Sequence, residues 1–126
     1  MGQKFLIDTN VVIEVLGNAM PTHIRKNVLC MPPIVSAVTY METLGWYRVT
    51  SSQLRVLQTF MNSAIILPIN QPVIEKTILI RQQKRIGLGD AIIAATAIVY
   101  NMVIVTRNVS DFKSINGLMV LNPWEM

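Results

Sequence analysis

The chain contains one cysteine, Cys30, and one histidine, His23, in 126 residues. A lone thiol closes no internal disulfide, so a reducing cytoplasm is the expected compartment. A lone imidazole with no Cys or second His at ligand spacing excludes the usual zinc sites. The same scarcity removes the thiol–imidazole pair of a cysteine hydrolase. There is also no Gly-x-Ser-x-Gly elbow and no Gly-rich loop ending in Lys-Ser or Lys-Thr. Charge is sparse as well: Asp, Glu, Lys and Arg make up 14% of the residues, against about 25% in an ordinary soluble chain.

Membrane-length apolar runs are missing too. The uncharged run Ala91–Thr106 is shorter than the roughly 20 residues of a membrane helix and is interrupted by Thr96, Tyr100 and Asn101. The opening Met1–Asp8 lacks the extended apolar region of a secretory signal, and Leu6 stands where N-myristoylation wants Ser or Thr. What is present is a 52% hydrophobic composition with a net charge of +4 and a pI near 9.6. A chain of this length can bury roughly two thirds of its unfolded surface in one core. The apolar excess is expected to cover a partner, and the basic balance favours a polyanionic one.

Hydrophobic periodicity divides the chain into alternating strands and helices. Lys4–Ile7 reads as a strand that runs through Asp8 into a helix ended by Gly17-Asn18. A helix over Pro21–Cys30 precedes a strand at Ile34–Ala37, and a helix over Val38–Arg48 follows, with Met41, Leu44, Tyr40 and Tyr47 as candidates for its core face. Ser51–Ser63 is helical, with Leu54, Leu57, Phe60 and Met61 on one side. A strand at Ala64–Ile69 leads to a helix over Val73–Arg85 with Ile74, Ile78 and Leu79 inward. Asp90 opens the next helix, Met102–Val105 is a buried strand, and Arg107, Asn108 and Asp111 occupy a polar loop before a last strand at Leu118–Leu121. This alternation predicts one three-layer α/β domain over residues 1–126 with a five-stranded, mostly parallel sheet.

The acids carry more information than the bases, because there are only seven. Asp8, Glu42, Asp90 and Asp111 each fall just after a strand or in a helix beside one. Ligands of parallel α/β sheets bind beyond the carboxyl ends of the strands, and these four acids are predicted to gather there. Taken singly each has an ordinary reading: Asp8 as a helix cap, Glu42 and Asp90 as residues favoured by a helix dipole. Gathered, they repel one another unless a cation lies between them. Hard carboxylates without thiolate or imidazole select Mg²⁺ or Mn²⁺, and in a basic protein such an ion meets phosphate oxygens. Arg81, Lys84 and Arg85 at the end of one helix, together with Arg107, are candidates for contacts to a phosphate backbone.

On these residues the chain resembles a PIN-domain ribonuclease, and within that family a VapC-type toxin of a toxin–antitoxin pair. The resemblance lies in Ile7-Asp8-Thr9-Asn10-Val11, in Ser36 through Glu42-Thr43-Leu44, in Gly87-Leu88-Gly89-Asp90-Ala91-Ile92-Ile93-Ala94-Ala95-Thr96-Ala97, and in Val105-Thr106-Arg107-Asn108 with Asp111-Phe112. Each motif alone is weak, whereas four in order across the whole chain are specific. The resemblance implies that Asp8, Glu42 and Asp90 are core metal-binding and catalytic acids, with either Asn108 or Asp111 in the fourth position. Asp111 brings the charge, and Asn10, Thr106 and Asn108 become supporting polar groups. It further implies hydrolysis of an RNA phosphodiester with one or two Mg²⁺ or Mn²⁺ ions, a homodimer, and a cognate antitoxin whose basic side chain reaches the acids.

Two other classes compete. A PIN-like module that binds RNA or a partner without cleaving leaves the acid set without use. A receiver-type phosphorelay domain wants paired acids after strand one and a Lys after strand five. This chain has Asp8 alone and no such Lys, and Asp8-Thr9-Asn10 also lacks the second Asp of a haloacid-dehalogenase-type phosphatase.

Overall fold

A computed structural model describes residues 2–126. Five three-residue strands alternate with helices: β1 (Phe5–Ile7), β2 (Ile34–Ser36), β3 (Ile65–Leu67), β4 (Val103–Val105) and β5 (Met119–Leu121). The helices are α1 (Thr9–Leu16), α2 (Thr22–Leu29), α3 (Ala37–Leu44), α4 (Ser51–Ser63), α5 (Gln71–Gln83), α6 (Leu88–Val99) and α7 (Val109–Phe112), with a 3₁₀ turn at Pro123–Glu125.

Every strand pairing is parallel. The ladder is split, however, into a three-stranded sheet of order β1-β4-β5 and a two-stranded sheet β2-β3. The predicted single five-stranded sheet is therefore present as five strands in two hydrogen-bonded groups. β1 and β2 lie side by side where the groups meet. Strands of three residues offer so few ladder bonds that one junction can rely on side-chain packing instead.

Period-two alternation along the strands builds two cores. Leu6, Ile34 and Ile104 point to one face and pack with Val73 and Ile80 of α5, with α6, and with Phe112. Their neighbours Ile7, Val35 and Val105 point to the other and pack with α1, α2 and α4. Each layer is thus specified residue by residue in the strand between them.

Local caps set the helix starts. Ser36 accepts from the Val38 N–H at 3.0 Å, Asn70 from the Val73 N–H at 3.1 Å, and Thr50 and Gln53 form a reciprocal capping box on α4. Asn101, at φ 57°, adopts the left-handed conformation that turns the chain from α6 to β4, and Gly117, at φ 83°, does so before β5.

Two helices bury a different face from the one hydropathy selects. In α3 the buried side chains are Val38, Thr39 and Thr43, while Tyr40 and Met41 are exposed and Leu44 is only half-buried. The helix ends at Leu44, leaving Tyr47 beyond it and exposed. In α5 the buried set is Val73, Thr77 and Ile80, while Ile74, Ile78 and Leu79 are exposed. The reason is the threonines. Thr43 donates to the Thr39 carbonyl at 2.8 Å and Thr77 to the Val73 carbonyl at 2.7 Å. A hydroxyl satisfied by its own helix can be buried without an unmet polar group. A third departure is α7, a single helical turn within the segment expected to be loop, pinned by fully buried Phe112.

Candidate active site

The carboxyl ends of the parallel strands share one edge, and Asp8 stands on it directly after β1. Its backbone N–H continues the ladder to the Val105 carbonyl at 3.0 Å, and its side chain caps α1. Oδ1 accepts from the Thr9 N–H and Oδ2 from the Thr106 hydroxyl, both at 2.9 Å. Thr106, buried at the end of β4, accepts in turn from the Asn108 N–H at 3.0 Å. Asp8 itself is only 4% exposed. Burial outweighs these hydrogen bonds and pushes its carboxyl up to about 6, with the charges of Asp90 and Glu42 adding to the effect.

Asp90 lies in the first turn of α6, half-buried. Its carboxyl is also raised, first by burial and then by the negative charges of Glu42 and Asp111. Glu42, on the outer side of α3, accepts at Oε1 from the Thr9 hydroxyl at 2.7 Å. Asp111, exposed on α7, accepts from the Asn108 side-chain amide. The four acids thus come from four segments and feel one another's charge. Among the described residues the one ion pair is Arg107–Glu14, so no base neutralises any of the four.

With the side chains as they stand, no three acids, Cys or His among the described residues are close enough together to share one ion. Glu42 and Asp111 each rest on a neutral partner instead, Thr9 and Asn108. The donor set is nevertheless all hard oxygen, which suits Mg²⁺ or Mn²⁺ and not a thiolate-seeking metal.

The sequence matches the PIN domain over residues 5–118. This chain belongs to the PIN-domain family. It is 30% identical over 127 aligned residues, covering 91% of the chain and 94% of its relative, to the tRNA(fMet)-specific endonuclease VapC of Shigella flexneri. A toxin–antitoxin complex from Klebsiella pneumoniae contains a chain 31% identical with a TM-score of 0.78, covering 98% of this chain and all of that one. DNA-bound VapBC from Salmonella typhimurium gives 27% identity and a TM-score of 0.83, covering 97% and 99% of the two chains. Within the PIN family the chain is a VapC-type nuclease, a hydrolase of phosphodiester bonds.

Around the acids of this PIN domain the predicted bases are placed unequally. Arg107 is on the rim with Asn10, Ile13, Glu14 and Asn108. Its guanidinium pairs with Glu14 at 3.1 Å and lies 4.3 Å from the Trp124 ring centroid. The expected phosphate contact is therefore engaged with α1 and the C-terminal turn. Asn10 is exposed on the same rim, and among the described residues its side chain makes no hydrogen bond to the acids. Arg81, Lys84 and Arg85 line a separate open cleft with Ile78, Ile86 and Leu88, beside the segment that leads into Asp90. Lys84 also donates to Ser114 at 2.8 Å.

Sequence reasoning missed Thr9 and Thr39. Thr9 touches both Asp8 and Glu42, and its hydroxyl lies 2.9 Å from that of fully buried Thr39. The available signal is the Thr of Asp8-Thr9-Asn10, a hydroxyl directly after the acid that ends the first strand.

Proposed function

We propose that residues 1–126 act as one PIN domain, the toxin of a VapBC-type pair, cleaving RNA with Mg²⁺ or Mn²⁺ held by Asp8, Glu42, Asp90 and Asp111. The observation that carries this reading is that Asp8, Glu42, Asp90 and Asp111 lie within range of one another's charge with no base paired to any of them, and that the carboxyls of Asp8 and Asp90 are raised. A divalent cation supplies charge neutralisation at the phosphate and acidifies an attacking water. Asp8 and Asp90, the more buried pair, would anchor it. Thr106 and the Thr9 N–H fix the two oxygens of Asp8, and Asn108 orients Asp111.

The groove between α1 and the α3–α4 connection supports an antitoxin partner. It is lined by Ile13, Leu16, Trp46, Val49, Val56 and Leu57 and is mostly apolar. The exposed Ile74 and Ile78 on α5 offer a second apolar face for a homodimer. Among the described residues no helix is long and apolar enough to cross a membrane, and we place the pair in the cytoplasm.

The test is cleavage of single-stranded RNA with added Mg²⁺ or Mn²⁺, and its loss with a chelator. Asp8→Asn and Asp90→Asn are expected to lower the rate by on the order of a hundredfold or more, since metal-assisted charge stabilisation is worth several kcal/mol. Full activity in both variants removes these acids from the mechanism. RNA binding without cleavage under all conditions favours the non-catalytic PIN-like module instead.

A further inference from the structure

The Glu42 carboxylate lies between two uncharged residues, one that bonds it and one that leaves it room. On one side the Thr9 hydroxyl donates to Oε1 at 2.7 Å. A carboxylate only accepts, so Thr9 spends its single proton there and must itself accept from the Thr39 hydroxyl 2.9 Å away. Thr39 is fully buried and sits one turn before Glu42 on α3. The direction of the relay is therefore Thr39 to Thr9 to Glu42.

On the other side is Gly89, next to Asp90 in the first turn of α6. A Cβ at this position would lie 2.9 Å from Glu42 Oε2 and 3.6 Å from Val38 Cγ1. Its backbone is not in the left-handed region, so the glycine is needed for room and not for conformation. The atom it makes room for is the end of a flexible side chain. A methyl group there would displace the carboxylate while leaving the backbone in place.

We propose that Thr39 and Gly89 are positioning residues that together fix the Glu42 carboxylate against the Asp90 turn and so set the divalent-ion affinity of the site. This rests on the metal-dependent reading of the four acids. Loss of a partner that orients a metal-binding side chain typically lowers affinity by about 10- to 100-fold. Thr39→Val keeps the shape and removes the hydroxyl, Thr39→Ser restores it, and Gly89→Ala adds the obstructing methyl.

The experiment is calorimetric titration of the full chain with Mn²⁺, with the metal-free melting temperature recorded for each variant. Thr39→Val and Gly89→Ala are expected to bind Mn²⁺ about tenfold or more weakly than the wild type at near-unchanged melting temperature, and Thr39→Ser to bind like the wild type. Wild-type affinity in both Thr39→Val and Gly89→Ala overturns the positioning role while leaving the metal site standing. A loss in Thr39→Val that Thr39→Ser does not restore overturns the hydroxyl relay. A wild type that takes up no Mn²⁺ overturns the metal site and this proposal together.

Discussion

Asp8 serves two purposes that oppose each other. As a cap its carboxylate satisfies the Thr9 N–H at the positive end of α1. As a buried acid without a basic partner it destabilises the folded state whenever it is ionised. Its folded pKa of about 6 stands above the ordinary 3.8, so the native state binds the proton more tightly than the unfolded one. The stability that protonated Asp8 contributes is therefore fully present below about pH 4 and is lost as pH rises through about 6, about 3 kcal/mol for this group. Asp8→Asn is expected to raise the metal-free melting temperature by several degrees at pH 7.5 and to leave it little changed at pH 4. Scanning fluorimetry at the two pH values checks this, and an equal shift at both would show that ionisation is not the cause. Added Mg²⁺ should stabilise the wild type at pH 7.5 and stabilise Asp8→Asn far less.

The elements show how a short helix can be held by one side chain. α7 has four residues, too few to persist alone, and fully buried Phe112 fastens it to the core cluster that also holds Leu6 and Ile104. Phe112→Ala should cost about 3–5 kcal/mol and free Asp111 from its place. Denaturant unfolding measures the first effect, and loss of cleavage in the folded fraction measures the second. On α4 the cap is local, and Thr50→Ala should cost about 1 kcal/mol without touching activity. What was legible in the sequence follows the same division. Asp8 and Asp90 were placed at their helix starts because strand-to-helix transitions leave strong local signals: a short apolar run, then an acid or glycine, then helical periodicity. The inner faces of α3 and α5 are not legible in the periodicity, because Thr39, Thr43 and Thr77 count as polar there yet satisfy their hydroxyls where they are buried. The Thr39–Thr9–Glu42 relay joins α1 to α3 across 30 residues and depends on that corrected phase, so no local pattern could reveal it.

At the scale of the whole molecule, a chain of net charge +4 keeps its site acidic and its flank basic. On the proposed function, Arg81, Lys84 and Arg85 flank the approach of RNA to the carboxylates, because their cleft adjoins the segment before Asp90. Replacing these three with Gln should weaken RNA binding and flatten its dependence on salt, each lost phosphate contact lowering the slope by about 0.7 for a single strand. Binding measured across a salt series tests this, and an unchanged slope assigns the approach path elsewhere. Arg107 belongs to a different arrangement, because it is held between Glu14 and the Trp124 ring at the edge of the site. The chain has two tryptophans, and Trp46 lies in the apolar groove. In a Trp46→Phe variant the ultraviolet emission would come from the Trp124 indole alone. That indole sits 4.3 Å beneath the Arg107 guanidinium, so its emission registers whether this cation stays in place, readable in stopped flow without any attached dye.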